Sequence, residues 1–159
     1  MILIARDSPA LPDVRDLLEE HLADMFATSP AESVHALDHG ALAGPDISFW
    51  TARDDGGELL GCGALKELGR EEAEIKSMRT AEHARGRGIA ALVLGRILDE
   101  AHLRGYQRLF LETGSQEFFA PARRLYARHG FVPCPPFAGY QPDPNSVFMA
   151  LSLAGGVPD

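Results

Sequence analysis

Apolar positions along this chain change period several times, and each change marks an element. Ile2 to Arg6 is a short apolar run of strand type. Asp7 or Ser8 can then cap a helix that has prolines near its start. From Asp13 to Phe26, the residues Val14, Leu17, Leu18, Leu22 and Met25 recur at helical spacing. Ser29 and Pro30 open a second, short helix in "SPAESVHAL", which "GPD" ends. Ile47 to Arg53 has the β-branched and aromatic content of a strand, and "DDGG" (Asp54 to Gly57) turns it back into Glu58 to Leu68. A polar bend at Gly69 to Glu71 leads into Ala73 to Thr80, the third strand of a meander. A helix from Gly88 to Leu103 closes on the cationic Arg104 and on Gly105. Gln107 to Thr113 is again a strand, Phe118 to Gly130 a helix, and the tail gives two further strands around a proline-rich turn.

That order predicts an α/β (α+β) fold, a single mixed and mostly antiparallel sheet of about six to seven strands flanked by about four helices. No repeat, low-complexity tract or linker divides the chain, so residues 1–159 read as one domain.

Composition narrows the function without naming it. A hydrophobic fraction of 45% with mixed charges describes an ordinary globular protein. The net charge of −8 speaks against nucleic acid as the main partner. Arginines nevertheless concentrate between Arg79 and Arg128, which allows a local site for a polyanion. No apolar run approaches the roughly 20 residues that span a bilayer, and no signal peptide is evident, so no membrane partner and a cytoplasmic location are expected. Cys62 and Cys134 lack metal-ligand spacing and are expected reduced, and no metal site is predicted.

The segment "HARGRGIAALVLGRILDEA" carries the chemistry. Gly86, Gly88 and Ala91 fit G-x-G-x-x-A, a dinucleotide-binding turn, and Glu112 could serve as its acid. Such a turn follows a first strand tightly, whereas here at least three strands in meander order and the spacer "AEHA" come before it. Arg85, Gly88 and Ala90 also fit R-x-x-G-x-A. In that frame the two glycines let an anion approach the backbone, and amides at Arg87, Gly88, Ile89 and Ala90 meet it at a helix N-terminus. Arg85 and Arg87 add charge where a pyrophosphate would lie. A solvated, arginine-rich loop that merely begins a helix is the plainer alternative.

"RGRGIA" after "AEIKSMRT", then "LFLET", "ARRLYARHGF" and a final strand, closely resembles the GCN5-related N-acetyltransferases over nearly the whole chain. Within them it is similar to small bacterial members. The resemblance implies acetyl-CoA as co-substrate, without a metal. Met78, Arg79 and Thr80 would then hold the acetyl and pantetheine portions on a splayed strand, and the loop Arg85, Gly86, Arg87, Gly88, Ile89 and Ala90 would cradle the pyrophosphate. An amide near Met78 would polarise the thioester carbonyl. Tyr126 matches the tyrosine that protonates the departing thiolate, against the alternative of a buried aromatic on an amphipathic helix.

The same resemblance suggests Glu74 as general base, at the distance before Arg85 where the histone-acetylating branch carries its catalytic glutamate. On a regular strand Glu74 would share a face with Lys76 and Met78. Its other reading is an exposed glutamate paired to Lys76, and Glu112, His83, Glu67 or water are weaker base candidates. Where many relatives have an asparagine facing the pantetheine arm, this chain has Phe119. Trp50, Phe118, Phe119 and Phe137 read as core or cleft walls. The implied acceptor is a primary amine of a small molecule or peptide, and a homodimer is admitted because relatives often pair. A non-catalytic acyl-CoA sensor on the same fold is the competing expectation.

Overall fold

The computed structural model describes residues 1–33 and 39–153. One seven-stranded sheet runs in the order β1-β2-β3-β4-β5-β7-β6. Its strands are β1 (Leu3–Arg6), β2 (Ile47–Arg53), β3 (Leu59–Glu67), β4 (Glu72–Thr80), β5 (Arg108–Gly114), β6 (Val132–Pro133) and β7 (Ser146–Ser152). All neighbours are antiparallel except β4 and β5, which are parallel and joined by the crossover helix α3 (Ile89–Leu103). The remaining helices are α1 (Pro12–Thr28), the single turn α2 (His39–Leu42) and α4 (Ala120–Arg128). This is the mixed sheet expected, with three helices of substance and one turn.

Periodicity located the long elements because each has a face to bury. Val14, Leu17 and Leu18 of α1 pack on one side of β3 and β4. Ile89, Val93, Leu94, Ile97 and Ala101 of α3 pack on the other. Trp50 is fully buried at the centre of β2, with the Arg96 guanidinium 5.7 Å from its ring centre.

Two local expectations need correction. Asp7 and Ser8 do not cap α1, which starts on Pro12 after Leu11 with no side-chain cap. The Asp7 carboxylate instead accepts hydrogen bonds from Thr51 Oγ1 at 2.7 Å and Arg53 Nε at 3.2 Å, and Ser8 Oγ accepts one from the Ala10 amide. A cross-strand pair thus outcompetes a cap available only locally. The short helix expected over 29–37 is a 3-10 turn, Ala31–Ser33, after which 34–38 lie outside the described residues. Among the described residues, no helix is long and apolar enough to cross a membrane.

What makes room for a site is the divergence of β4 from β5. They pair only from Glu72 to Ile75 against Arg108 to Leu111. Further along, β4 bulges: its register with β3 passes from Ala64–Lys76 to Cys62–Arg79, setting Ser77 and Met78 against Gly63 alone. Ser77 takes φ +56, a costly value for a residue with a Cβ. Gly63 is required opposite, since a Cβ there would lie 2.6 Å from Met78 Sδ and 2.8 Å from Val93 Cγ1.

The bulge also overturns the expected strand face. Glu74 and Lys76 pair with Lys66 and Ala64, on the side of Cys62 and Arg79, and Arg79 reaches α1. Met78 turns the other way, against Val93 and Ile97 of α3. An inserted residue resets a period-two pattern, and nothing in "EIKSMRT" announces it.

Candidate active site

Between the splayed ends of β4 and β5 opens a cleft of about 660 Å3. It runs from the turn before α3, past the bulge and α4, to residues of α1, β5 and the start of β7.

One end is backbone. Gly86 and Gly88 adopt φ +79 and +77, and no atom lies within 4 Å of where either Cβ would stand. Gly88 is the left-handed N-cap of α3 and makes no side-chain cap, so the first turn presents its amides outward. Arg85, Gly86, Gly88, Ile89 and Ala90 line the cleft, and Arg85 is exposed beside it. Arg87 is exposed and does not line it. This cradle of open glycines, free helix amides and an arginine fits a pyrophosphate-bearing ligand such as acetyl-CoA.

Met78, Arg79 and Thr80 line the middle. The Arg79 side chain does not turn toward the loop. It pairs with Asp24 at 2.6 Å and Glu20 at 3.1 Å and so ties α1 to the bulged strand. Tyr126 is buried at the cleft wall, packed edge-on against Phe131 with 5.8 Å between ring centres. Burial pushes its phenol well above the usual tyrosine range, so the hydroxyl keeps its proton. Phe118 and Phe119 are walls, as expected, and Phe119 packs so tightly over Gly114 that a Cβ there would overlap its ring.

The far end is made of side chains. Glu74 is 1% exposed, and its Oε2 accepts hydrogen bonds from Lys76 Nζ at 3.1 Å and Tyr140 Oη at 3.0 Å. It is paired to Lys76, as its structural reading required, but buried at the cleft wall rather than exposed. Glu112 also lines the cleft and accepts from Ser146 Oγ at 2.7 Å. The other base candidates lie elsewhere. His83 pairs with Glu58 in a separate surface depression, and Glu67 accepts from Tyr106 Oη at 3.0 Å.

Sequence reasoning missed His21, Asp24 and Met25, which reach the cleft together from α1. Their i, i+3, i+4 spacing was the available signal, but it reads equally as an ordinary helix face. Burial and the Arg79 charge push the His21 imidazole down to about 4, against the pull of Asp24. Lys76, Asn145, Ser146 and Arg128 are further lining residues without a motif. Among the described residues, no group of three or more His, Cys, Asp or Glu side chains could hold a metal ion. The expectation that no two histidines are spaced as H-x-x-x-H is corrected by His35 and His39, which have that spacing and lie outside the residues whose side chains are described.

A parallel pair that opens at a bulge, beside a glycine turn and a helix N-terminus, makes one cleft suited to a pyrophosphate-bearing ligand. Residues 14–131 match the model of the Acetyltransferase (GNAT) family, and the chain belongs to that family. It is therefore an acyltransferase using acetyl-CoA as co-substrate, and the dinucleotide reading of its loop is set aside. It is 54% identical over 140 residues to the uncharacterised N-acetyltransferase YsnE of Bacillus subtilis (strain 168), covering 88% of this chain and 92% of that one. Identity to the IAA acetyltransferase of Azospirillum brasilense is 42% over 156 residues, covering 96% and 98%. The crystal structure of a GNAT family acetyltransferase from Elizabethkingia anophelis with acetyl-CoA bound superposes with a TM-score of 0.66 at 19% identity, covering 96% and 98%. At that identity the likeness is one of fold.

Proposed function

We propose that this protein transfers the acetyl group directly to a primary amine of a small molecule or peptide, with both substrates held in the cleft at once. The observation that carries this reading is that one cleft joins the glycine turn, the bulge of β4, Tyr126 and Glu74. Acetyl-CoA supplies an acetyl group on a thioester, a carbonyl open to attack with a thiolate as leaving group. The turn from Arg85 to Ala90 and the N-terminus of α3 bind its pyrophosphate. The Met78 amide, at the bulge of β4, donates to the carbonyl oxygen as it gains charge.

An amine acceptor arrives protonated at neutral pH, since its pKa is around 10. Glu74 Oε1 receives one proton from the ammonium and leaves the nitrogen lone pair free to form the new C–N bond. As the C–S bond breaks, Tyr126 gives its hydroxyl proton to the departing sulfur, and the acylated nitrogen sheds its second proton, which restores the tyrosinate to the phenol. Holding both reactants in one enclosed cleft contributes much of the acceleration.

Release of free CoA, followed across a panel of amines, tests the reading. Tyr126→Phe is expected to lower turnover about a hundredfold with acetyl-CoA affinity unchanged. Unaltered turnover would remove Tyr126 from the mechanism. Tight acetyl-CoA binding with no transfer to any amine would instead favour a sensor built on the same fold.

A further inference from the structure

Glu74, Lys76 and Tyr140 close a three-membered hydrogen-bond ring that family resemblance did not anticipate. Lys76 Nζ donates to Glu74 Oε2 at 3.1 Å and to Tyr140 Oη at 2.9 Å, while Tyr140 Oη donates to the same Glu74 Oε2 at 3.0 Å. Tyr140 comes from the proline-rich turn between β6 and β7, far from β4 in sequence. Its ring is fixed edge-on against Phe137 with centres 5.3 Å apart, and tilted against Phe148 at 5.9 Å. Phe137 in turn stacks on Phe110 of β5 at 4.8 Å.

Both donors converge on one oxygen of Glu74. Its other oxygen, Oε1, takes no hydrogen bond from any described residue, and Glu74 lines the cleft. A glutamate has three rotatable bonds, and fixing it otherwise costs side-chain entropy each time an acceptor binds. Here that ordering is done by the fold.

We propose that Tyr140 and Lys76 are positioning residues that occupy Glu74 Oε2 and so present Oε1 to the acceptor amine. The proposal rests on the acetyl-transfer reading above for its chemistry, though the geometry of the ring stands apart from it.

Tyr140→Phe is the sharpest probe, since it keeps the aromatic packing and removes one hydroxyl. With the amine that the wild type acetylates fastest, it is expected to raise acceptor KM about tenfold, the equivalent of one charge-assisted hydrogen bond. The Kd for acetyl-CoA stays unchanged and acceptor KM rises more than kcat falls, a split that a merely structural tyrosine would not give. An unchanged acceptor KM overturns the proposal.

A second measurement needs no turnover. The chain has 3 tyrosines, so NMR of 13Cζ-labelled tyrosine resolves them, and Tyr140→Phe assigns the signal. At neutral pH, Glu74→Gln is expected to shift the Tyr140 13Cζ resonance, because the carboxylate acceptor of its hydroxyl is lost, and an unmoved resonance overturns the ring. If that resonance moves while no amine is acetylated by the wild type, the acetyl-transfer reading falls and the ring stands.

Discussion

The two ends of the cleft are built from different materials. The end proposed for the donor is main chain: two left-handed glycines, the free amides of α3 and a bulged strand. The end proposed for the acceptor is side chains gathered from α1, β4, β5 and the turn before β7, and its polar groups hold one another. Main-chain recognition depends on a contiguous loop and serves one ligand well. Side chains brought from distant segments can change singly, so this end is where a new acceptor can be accommodated without disturbing the donor site.

That contrast can be broken most decisively by Glu74→Gln. Turnover is expected to fall about a hundredfold while acetyl-CoA Kd, measured by calorimetry, stays put. Loss of donor affinity in this variant would mean that the two ends are not separable. Gly88→Val should do the reverse. A branched side chain at φ +77 costs about 1–2 kcal/mol of stability and crowds the amides, so acetyl-CoA affinity should drop roughly tenfold. Equal affinity in this variant would show that the donor is not held at this turn.

A smaller effect tests the α1 wall. His21 has an ordinary value of 6.5 that folding brings down to about 4. Below pH 6.5 the unfolded chain therefore takes up a proton that the folded chain refuses. The stability this neutral imidazole contributes is full above pH 6.5 and is lost as pH falls toward 4. Urea unfolding at pH 7 and pH 4.5 should show wild type losing about 1–2 kcal/mol more than His21→Gln. Identical losses would mean that folding leaves the His21 imidazole unshifted.

The mildest test concerns the bulge itself. Cys62 Sγ lies 3.3 Å from the Ser77 carbonyl oxygen, and burial pushes its thiol up to about 12. A thiol reagent should modify Cys134 first and Cys62 roughly a hundredfold more slowly. Comparable rates would mean that β4 opens at Ser77 in solution.

The legible parts of the site follow the same division. "RGRGIA" is contiguous, and its glycines have a physical reason that can be read without neighbours. The helix over α3 was found nearly to the residue because five buried positions repeat at its period. Met78 and Tyr126 came only through family resemblance, since a backbone role and a buried phenol leave no distinctive spacing. The face of Glu74 was placed wrongly relative to Met78 because alternation assumes an unbroken strand. Tyr140 could not be found at all, because it meets Glu74 only after the turn from β6 to β7 folds back over β5.

By itself, the sequence determined which segments are strands and helices, and where a polyanion could meet the main chain. These are properties of neighbouring residues, set by periodicity and by the freedom of glycine. Only the tertiary structure decided that β4 would part from β5, that Arg79 would turn to α1, and that a tyrosine and a lysine would fix Glu74. Those outcomes depend on pairing across the sheet and on contacts between distant segments, for which the linear chain carries no period.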